Sequence, residues 1–151
     1  MTRIVSSATI HRAPEDVFDY VTTPAKWKEW HPSTMRVDGG THPLEAGETC
    51  TEEFVVAGRR GVCDWIVTRR ERPALWEIES RRSSGGSATI TYELVPSAGG
   101  TRFTRTLQYR MPNAVLSLLD ALVFRRRIER ESATAVDNVR GALEAAQPAA
   151  V

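Results

Sequence analysis

From Glu48 to Arg110 the chain is a succession of short β-forming segments closed by turn residues. Nothing else in the sequence restricts the fold as much. Glu48–Val56, Val62–Arg70, Leu75–Arg81, Ser87–Val95 and Arg102–Arg110 are rich in β-branched and aromatic residues. Gly58-Arg59-Arg60-Gly61, Arg72-Pro73, Ser84-Gly85-Gly86 and the stretch from Pro96 to Gly100 separate them. Connections this short join strands only as hairpins, because a parallel crossover needs about a dozen residues or more. The pattern predicts an antiparallel meander. Met35–Asp38 is a weaker strand candidate ahead of it, and residues 3–11 read as a strand at the N-terminus.

Side-chain alternation then sorts the residues into two faces. Folding the first hairpin about Arg59 and Arg60 sets Phe54 opposite Trp65 and Glu52 opposite Val67. The second pairs Ile78 with Tyr92, and the third pairs Tyr92 with Arg105. One face collects Phe54, Val56, Trp65, Val67, Trp76, Ile78, Ile90, Tyr92, Leu94, Phe103, Leu107 and Tyr109. The other collects Glu53, Asp64, Glu77, Glu79, Glu93 and several threonines, as a sheet with one wet face should. This register places Cys50 six residues along the strand from Cys63, roughly 20 Å at about 3.4 Å per residue. A disulfide spans about 7 Å at most between Cα atoms, so two buried reduced thiols are expected.

Helix signals flank the meander. Ala13-Pro14-Glu15-Asp16 opens a short helix, with proline at the first position and acids at the positive end of the dipole. Thr23-Pro24 opens a second, with Thr23 as the cap, which carries Trp27 and Trp30 and stops at His31-Pro32. Beyond Met111-Pro112-Asn113, apolar residues from Val115 to Leu143 recur at helical spacing and predict one helix from about Asn113 to Ala146. Such a helix is roughly 50 Å long and is covered only by lying across a curved sheet. The fold class is therefore α+β.

The 151 residues suit one domain, read as 1–146 with 147–151 as a frayed tail. Twenty Lys and Arg against nineteen Asp and Glu leave a net charge of +1, which argues against a general DNA or RNA binder. No signal peptide is visible, and the apolar run from Ala114 to Phe124 is too short to span a bilayer. The cytoplasm is the expected location. Gly-x-Ser-x-Gly, phosphate-loop, HExxH and GxGxxG motifs are missing, so no cofactor, metal or catalytic residue is assigned.

The order of elements, together with residues 8–18 (ATIHRAPEDVF), Trp27-Lys28-Glu29-Trp30-His31-Pro32, Glu71-Arg72-Pro73 before Trp76, and Gly100-Thr101-Arg102-Phe103-Thr104, resembles the START-like helix-grip superfamily (SRPBCC). The nearest branch is that of polyketide cyclases, dehydrases and lipid-transport proteins. The resemblance implies a curved antiparallel sheet wrapped around the long helix, two short helices after the first strand, and an apolar cavity between sheet and helix. Its members include lipid carriers, hormone receptors, aromatase/cyclases, coenzyme Q-binding proteins and partners of chaperones or ribosomes, so activity does not follow from fold.

Polar residues on the dry face are the informative ones. Glu52, Ser80 and Arg105 have inward parity, and a buried charge is costly unless paired. Either Glu52 and Arg105 pair with each other, or Arg105 reaches out at a strand end, or Arg105 with Tyr92 and Glu52 binds an anionic oxygen of an apolar ligand. Trp30 and His31 follow the second short helix, where related folds open their cavity; His31 could also serve as a base, though no orienting carboxylate is evident. The candidate ligand contacts are Trp30, His31, Glu52, Phe54, Trp65, Trp76, Ile78, Tyr92, Arg105, Tyr109, Leu116 and Leu119.

Three functions stay open: binding or transport of a hydrophobic small molecule of lipid, polyketide or isoprenoid type; a polyketide cyclase, aromatase or dehydratase using Tyr92, Tyr109 and Arg105 as donors; and a protein or RNA interaction module. The last would use Arg125-Arg126-Arg127-Ile128-Glu129-Arg130, otherwise a solvated face with pairs such as Arg127–Glu131. The leucines just before it cover more than one helix face, which suggests a weak homodimer or a membrane-surface contact through the long helix.

Overall fold

A computed structural model describes residues 1–56, 58–83 and 86–146. Strand β1 (Thr2–Ile10) leads to α1 (Pro14–Val21), a 3-10 turn (Pro24–Lys26) and the single-turn helix α2 (Trp27–Trp30). Six strands follow: β2 (Thr34–Asp38), β3 (Thr49–Val56), β4 (Arg59–Glu71), β5 (Leu75–Ser83), β6 (Ser87–Ser97) and β7 (Gly100–Arg110). They form one antiparallel sheet in the order β1-β7-β6-β5-β4-β3-β2. The chain ends in α3 (Ala114–Leu119), a π-helical turn (Asp120–Phe124) and α4 (Arg125–Ala145), which run on as one helix. This is the expected α+β helix-grip arrangement, with the sheet curled around the helix. The expected tail 147–151 and Ser84-Gly85 of one expected turn lie outside the described residues.

Local signals act mostly as read. Pro14 stands in the first turn of α1 with Glu15 and Asp16 behind it. Asn113 caps the long helix, its side chain accepting from the Leu116 amide at 2.9 Å. Thr23 does not cap: its hydroxyl donates back to the Asp19 carbonyl at 2.7 Å. Two register shifts in β4, between Asp64 and Trp65 and between Val67 and Arg69, bend the longest strand.

Two hairpin registers differ from expectation. The β3–β4 turn is not centred on Arg59 and Arg60, because Val56 pairs with Arg59. Gly58, at φ +79°, supplies the left-handed backbone a tight turn needs and arginine resists. Phe54 thus faces Gly61, and Glu52 faces Cys63. In β5–β6, Trp76 rather than Ile78 faces Tyr92, and the two rings stack at 5.2 Å. Both slips are by an even number of residues, so every side chain keeps its face. The β6–β7 register, with Tyr92 opposite Arg105, is as read.

The cysteine argument changes with the register. Cys50 pairs with Trp65 and Cys63 with Glu52, which makes the cysteines diagonal neighbours rather than residues 20 Å apart. A diagonal pair lies about 7–8 Å apart, still too far for a bond. Both are free, buried thiols, and burial pushes each up to about 12.

The main core joins α1 and α2 to the sheet through Phe18, Trp27, Trp30, Trp76, Tyr92 and Phe103, and receives Ala135, Val136, Val139 and Leu143 from α4. A smaller cluster, Ile4, Tyr109 and Ile128 with Val56, Leu107, Met111 and Phe124 around it, sits towards the other end.

Candidate functional site

Between these clusters the concave face and the long helix leave a cavity of about 130 Å³. Its walls are largely apolar: Phe54, Val56, Trp65, Ile90, Leu107, Met111, Phe124 and Ile128. His31, Ser33, Glu52, Arg105, Glu131 and Ser132 add polar groups. Arg60 and Ser87 are the lining residues exposed to solvent, and they mark the mouth.

Alternation along β7 turns Arg105 inward, where it is only 5% exposed. Its Nη1 reaches the Ser132 hydroxyl at 3.3 Å, a long bond, and its Nε has no partner. No carboxylate lies within ion-pair distance of it among the described residues. The Glu52 oxygens are already held, Oε1 by the Thr34 hydroxyl and Oε2 by the Trp65 indole N–H, both at 2.8 Å. Arg105 is near enough to draw the Glu52 pKa down, yet burial dominates and raises it. Neither a direct Glu52–Arg105 pair nor an arginine reaching solvent is what the structure contains.

His31 follows the last turn of α2 and faces the same cavity. Its Nδ1 accepts the Ser33 amide at 3.1 Å, so the neutral ring carries its proton on Nε2. Burial first, and the Arg105 charge second, hold its pKa well below the usual histidine value. The cavity-lining imidazole is therefore neutral, with its basic lone pair engaged by Ser33 and an N–H left at Nε2. Ser33 also donates to Glu131 at 2.9 Å, tying the segment after α2 to α4.

Of the twelve candidates read from the sequence, His31, Glu52, Phe54, Trp65, Arg105 and Tyr109 line the cavity. Trp30, Trp76, Ile78 and Tyr92 pack in the main core instead. Leu116 and Leu119 stay outside the lining, and Leu119 is exposed. Tyr92 supports the site from behind: its hydroxyl lies beside Arg105, and burial raises it to about 12. The Tyr109 hydroxyl is committed to Asp120, so it is not a free donor. Ser80 uses its hydroxyl to accept the Ala88 amide. Ser33, Glu131 and Ser132 went unrecognised in the sequence. Ser132 had a legible signal, a polar residue in the buried stripe between Ile128 and Ala135.

Among the described residues no cluster of His, Cys, Asp or Glu could hold a metal, and no helix is long and apolar enough to cross a membrane. The sequence matches, over residues 1–144, the profile of a family described as polyketide cyclase/dehydrase and lipid transport. The chain belongs to that family. No curated protein shows significant sequence similarity to it. Solved structures similar to this family member share its fold. TTHA0849 from Thermus thermophilus superposes with a TM-score of 0.78 at 14% identity, over 97% of this chain and 100% of that one. The Zhui aromatase/cyclase from Streptomyces sp. R1128 gives 0.73 at 16% identity, over 95% and 93%. DynU16, from the dynemicin biosynthetic locus, gives 0.66 at 16% identity, over 97% of this chain and 48% of that one.

Proposed function

We propose that this protein binds a small, mostly apolar molecule carrying one anionic oxygen, in the cavity between the sheet and the C-terminal helix. The carrying observation is Arg105: a guanidinium 5% exposed, with an unpartnered Nε, in an apolar cavity. A buried charge without a counter-ion is costly, and an anionic ligand oxygen supplies the counter-ion. The Nε2–H of His31 offers a second donor in the same cavity. Binding pockets for drug-sized ligands run to about 300–1,000 Å³. A 130 Å³ cavity suits one or two fused rings, or the head of a longer chain that leaves past Arg60 and Ser87.

A polyketide cyclase or aromatase is the second reading. Two N–H donors in a largely apolar cavity are what an enolate oxygen needs as charge develops on it. The shared fold with the Zhui aromatase/cyclase agrees with this but does not carry it.

The test uses 2-naphthoate and its neutral methyl ester, read by fluorescence of Trp65 in the cavity wall. The acid should bind better than the ester, and Arg105→Leu should remove that preference by about 10–100-fold, the range for hydrogen bonds to a charged group. Arg105→Lys should restore part of it. Equal affinity of acid and ester for the wild type and Arg105→Leu would end this reading. With a reactive poly-β-ketone as probe, a cyclised product that disappears in Arg105→Leu would select the enzyme.

A further inference from the structure

The start of the long helix is apolar on the side facing solvent. Val115 is 70% exposed, Leu118 62%, Leu122 69% and Val123 60%. Four exposed aliphatic side chains within nine residues form a patch of the kind that soluble monomers cover. Arginines continue from it: Arg125, Arg126, Arg127 and Arg130. Arg125 pairs with Glu129 and Arg127 with Glu131, but Arg126 and Arg130 make no ion pair among the described residues. These two stand four residues apart, where like charges repel along a helix. The chain just ahead of α3 passes beside the cavity mouth. A Cβ on Gly86, next to Ser87, would lie 3.1 Å from the Pro112 nitrogen, just ahead of α3.

We propose that this face docks on an anionic membrane surface, with Val115, Leu118, Leu122 and Val123 in the acyl boundary and Arg126 and Arg130 at the level of the phosphates. An amphipathic segment held this way gains from apolar burial and from attraction to anionic lipid together. A second copy of the chain is a poorer occupant. From Asn113 to Arg130 the acids are Asp120, which is 4% exposed and held by Thr2 and Tyr109, and Glu129, which pairs with Arg125. Two such faces would bring leucines together but no uncommitted carboxylate to Arg126 and Arg130. A phospholipid leaflet supplies both the apolar medium and the anions. The proposal does not depend on what the cavity binds.

Flotation with vesicles of phosphatidylcholine alone, and of phosphatidylcholine with phosphatidylglycerol, tests it. The wild type should float with the anionic vesicles, less so at high salt, and not with the neutral ones. Arg126→Glu with Arg130→Glu should weaken binding about thirty-fold or more, given the attraction of each arginine to an anionic leaflet. Leu118→Ser with Leu122→Ser should weaken it comparably, with thermal unfolding unchanged because both side chains are exposed. No flotation with anionic vesicles overturns the proposal. So does loss in the arginine pair alone, which is surface electrostatics without insertion. A dimer in sedimentation velocity that Leu118→Ser with Leu122→Ser dissociates gives the face to a second copy, and likewise overturns it.

Discussion

His31 concentrates the chemistry of the site in one ring. Its Nδ1 is used by the Ser33 amide, and burial with a nearby guanidinium opposes a second proton. The folded-state pKa is thus below the unfolded value of about 6.5. Between those two values the unfolded chain binds more protons than the folded one, so stability rises with pH in that window and levels off above it. Urea unfolding at pH 7.5 and 5.5 should show a loss at the lower pH that shrinks in His31→Asn, whose side-chain oxygen still accepts the Ser33 amide. An unchanged loss in the variant would show that His31 is not the group responsible. Glu52 has the opposite sign: its raised pKa favours the folded state at low pH and withdraws that contribution as pH rises through the folded value. The two effects oppose each other in wild type, so the variant difference, not the raw slope, is the informative quantity.

At the scale of elements, the π-helical turn has a stated cause. The inward residues Leu116, Asp120, Phe124, Ile128 and Ser132 are spaced by four throughout. Four residues advance an α-helix about 40° past a full turn, so a regular helix would rotate this stripe off the sheet within three or four steps. One wide turn at Asp120–Phe124 takes up the surplus residue, and Asp120 is held there by the hydroxyls of Thr2 and Tyr109. Deleting Ala121 should therefore convert the turn to regular helix and leave a cooperative fold. Deleting Thr134, an exposed residue between Ser132 and Ala135, should rotate one half of the helix out of the core and abolish cooperative unfolding by circular dichroism. Equal damage from both deletions would refute this account. The strands were legible before the turns were. Side-chain period two survives any even slip, so faces could be read while Phe54–Trp65 and Ile78–Tyr92 were misplaced. Turn chemistry at Gly58 and ring stacking of Trp76 on Tyr92 set the true partners. Burial of Glu52 and Arg105 was legible from parity. Their partners were not, because Thr34 and Ser132 come from elements whose docking no local pattern encodes.

For the molecule as a whole, the cavity competes with the core. A filled interior is more stable, and each apolar carbon withheld from contact forgoes about 0.8 kcal/mol. This chain keeps a space of about 130 Å³ where its two apolar clusters meet, with Ala88 packed against both and lining the space. A small residue there, opposite Tyr109 on β7, is what holds the space open. Ala88→Leu should fill part of it and raise unfolding stability by about 1–2 kcal/mol, provided the added carbons find the void rather than the sheet. The same variant should lose 2-naphthoate binding while Arg105 stays in place. Gain of stability with loss of binding is the signature of a space kept for a ligand. Gain of stability with binding intact would move the ligand elsewhere on the molecule. Loss of stability would mean that the strands around Ala88 are already packed to their limit.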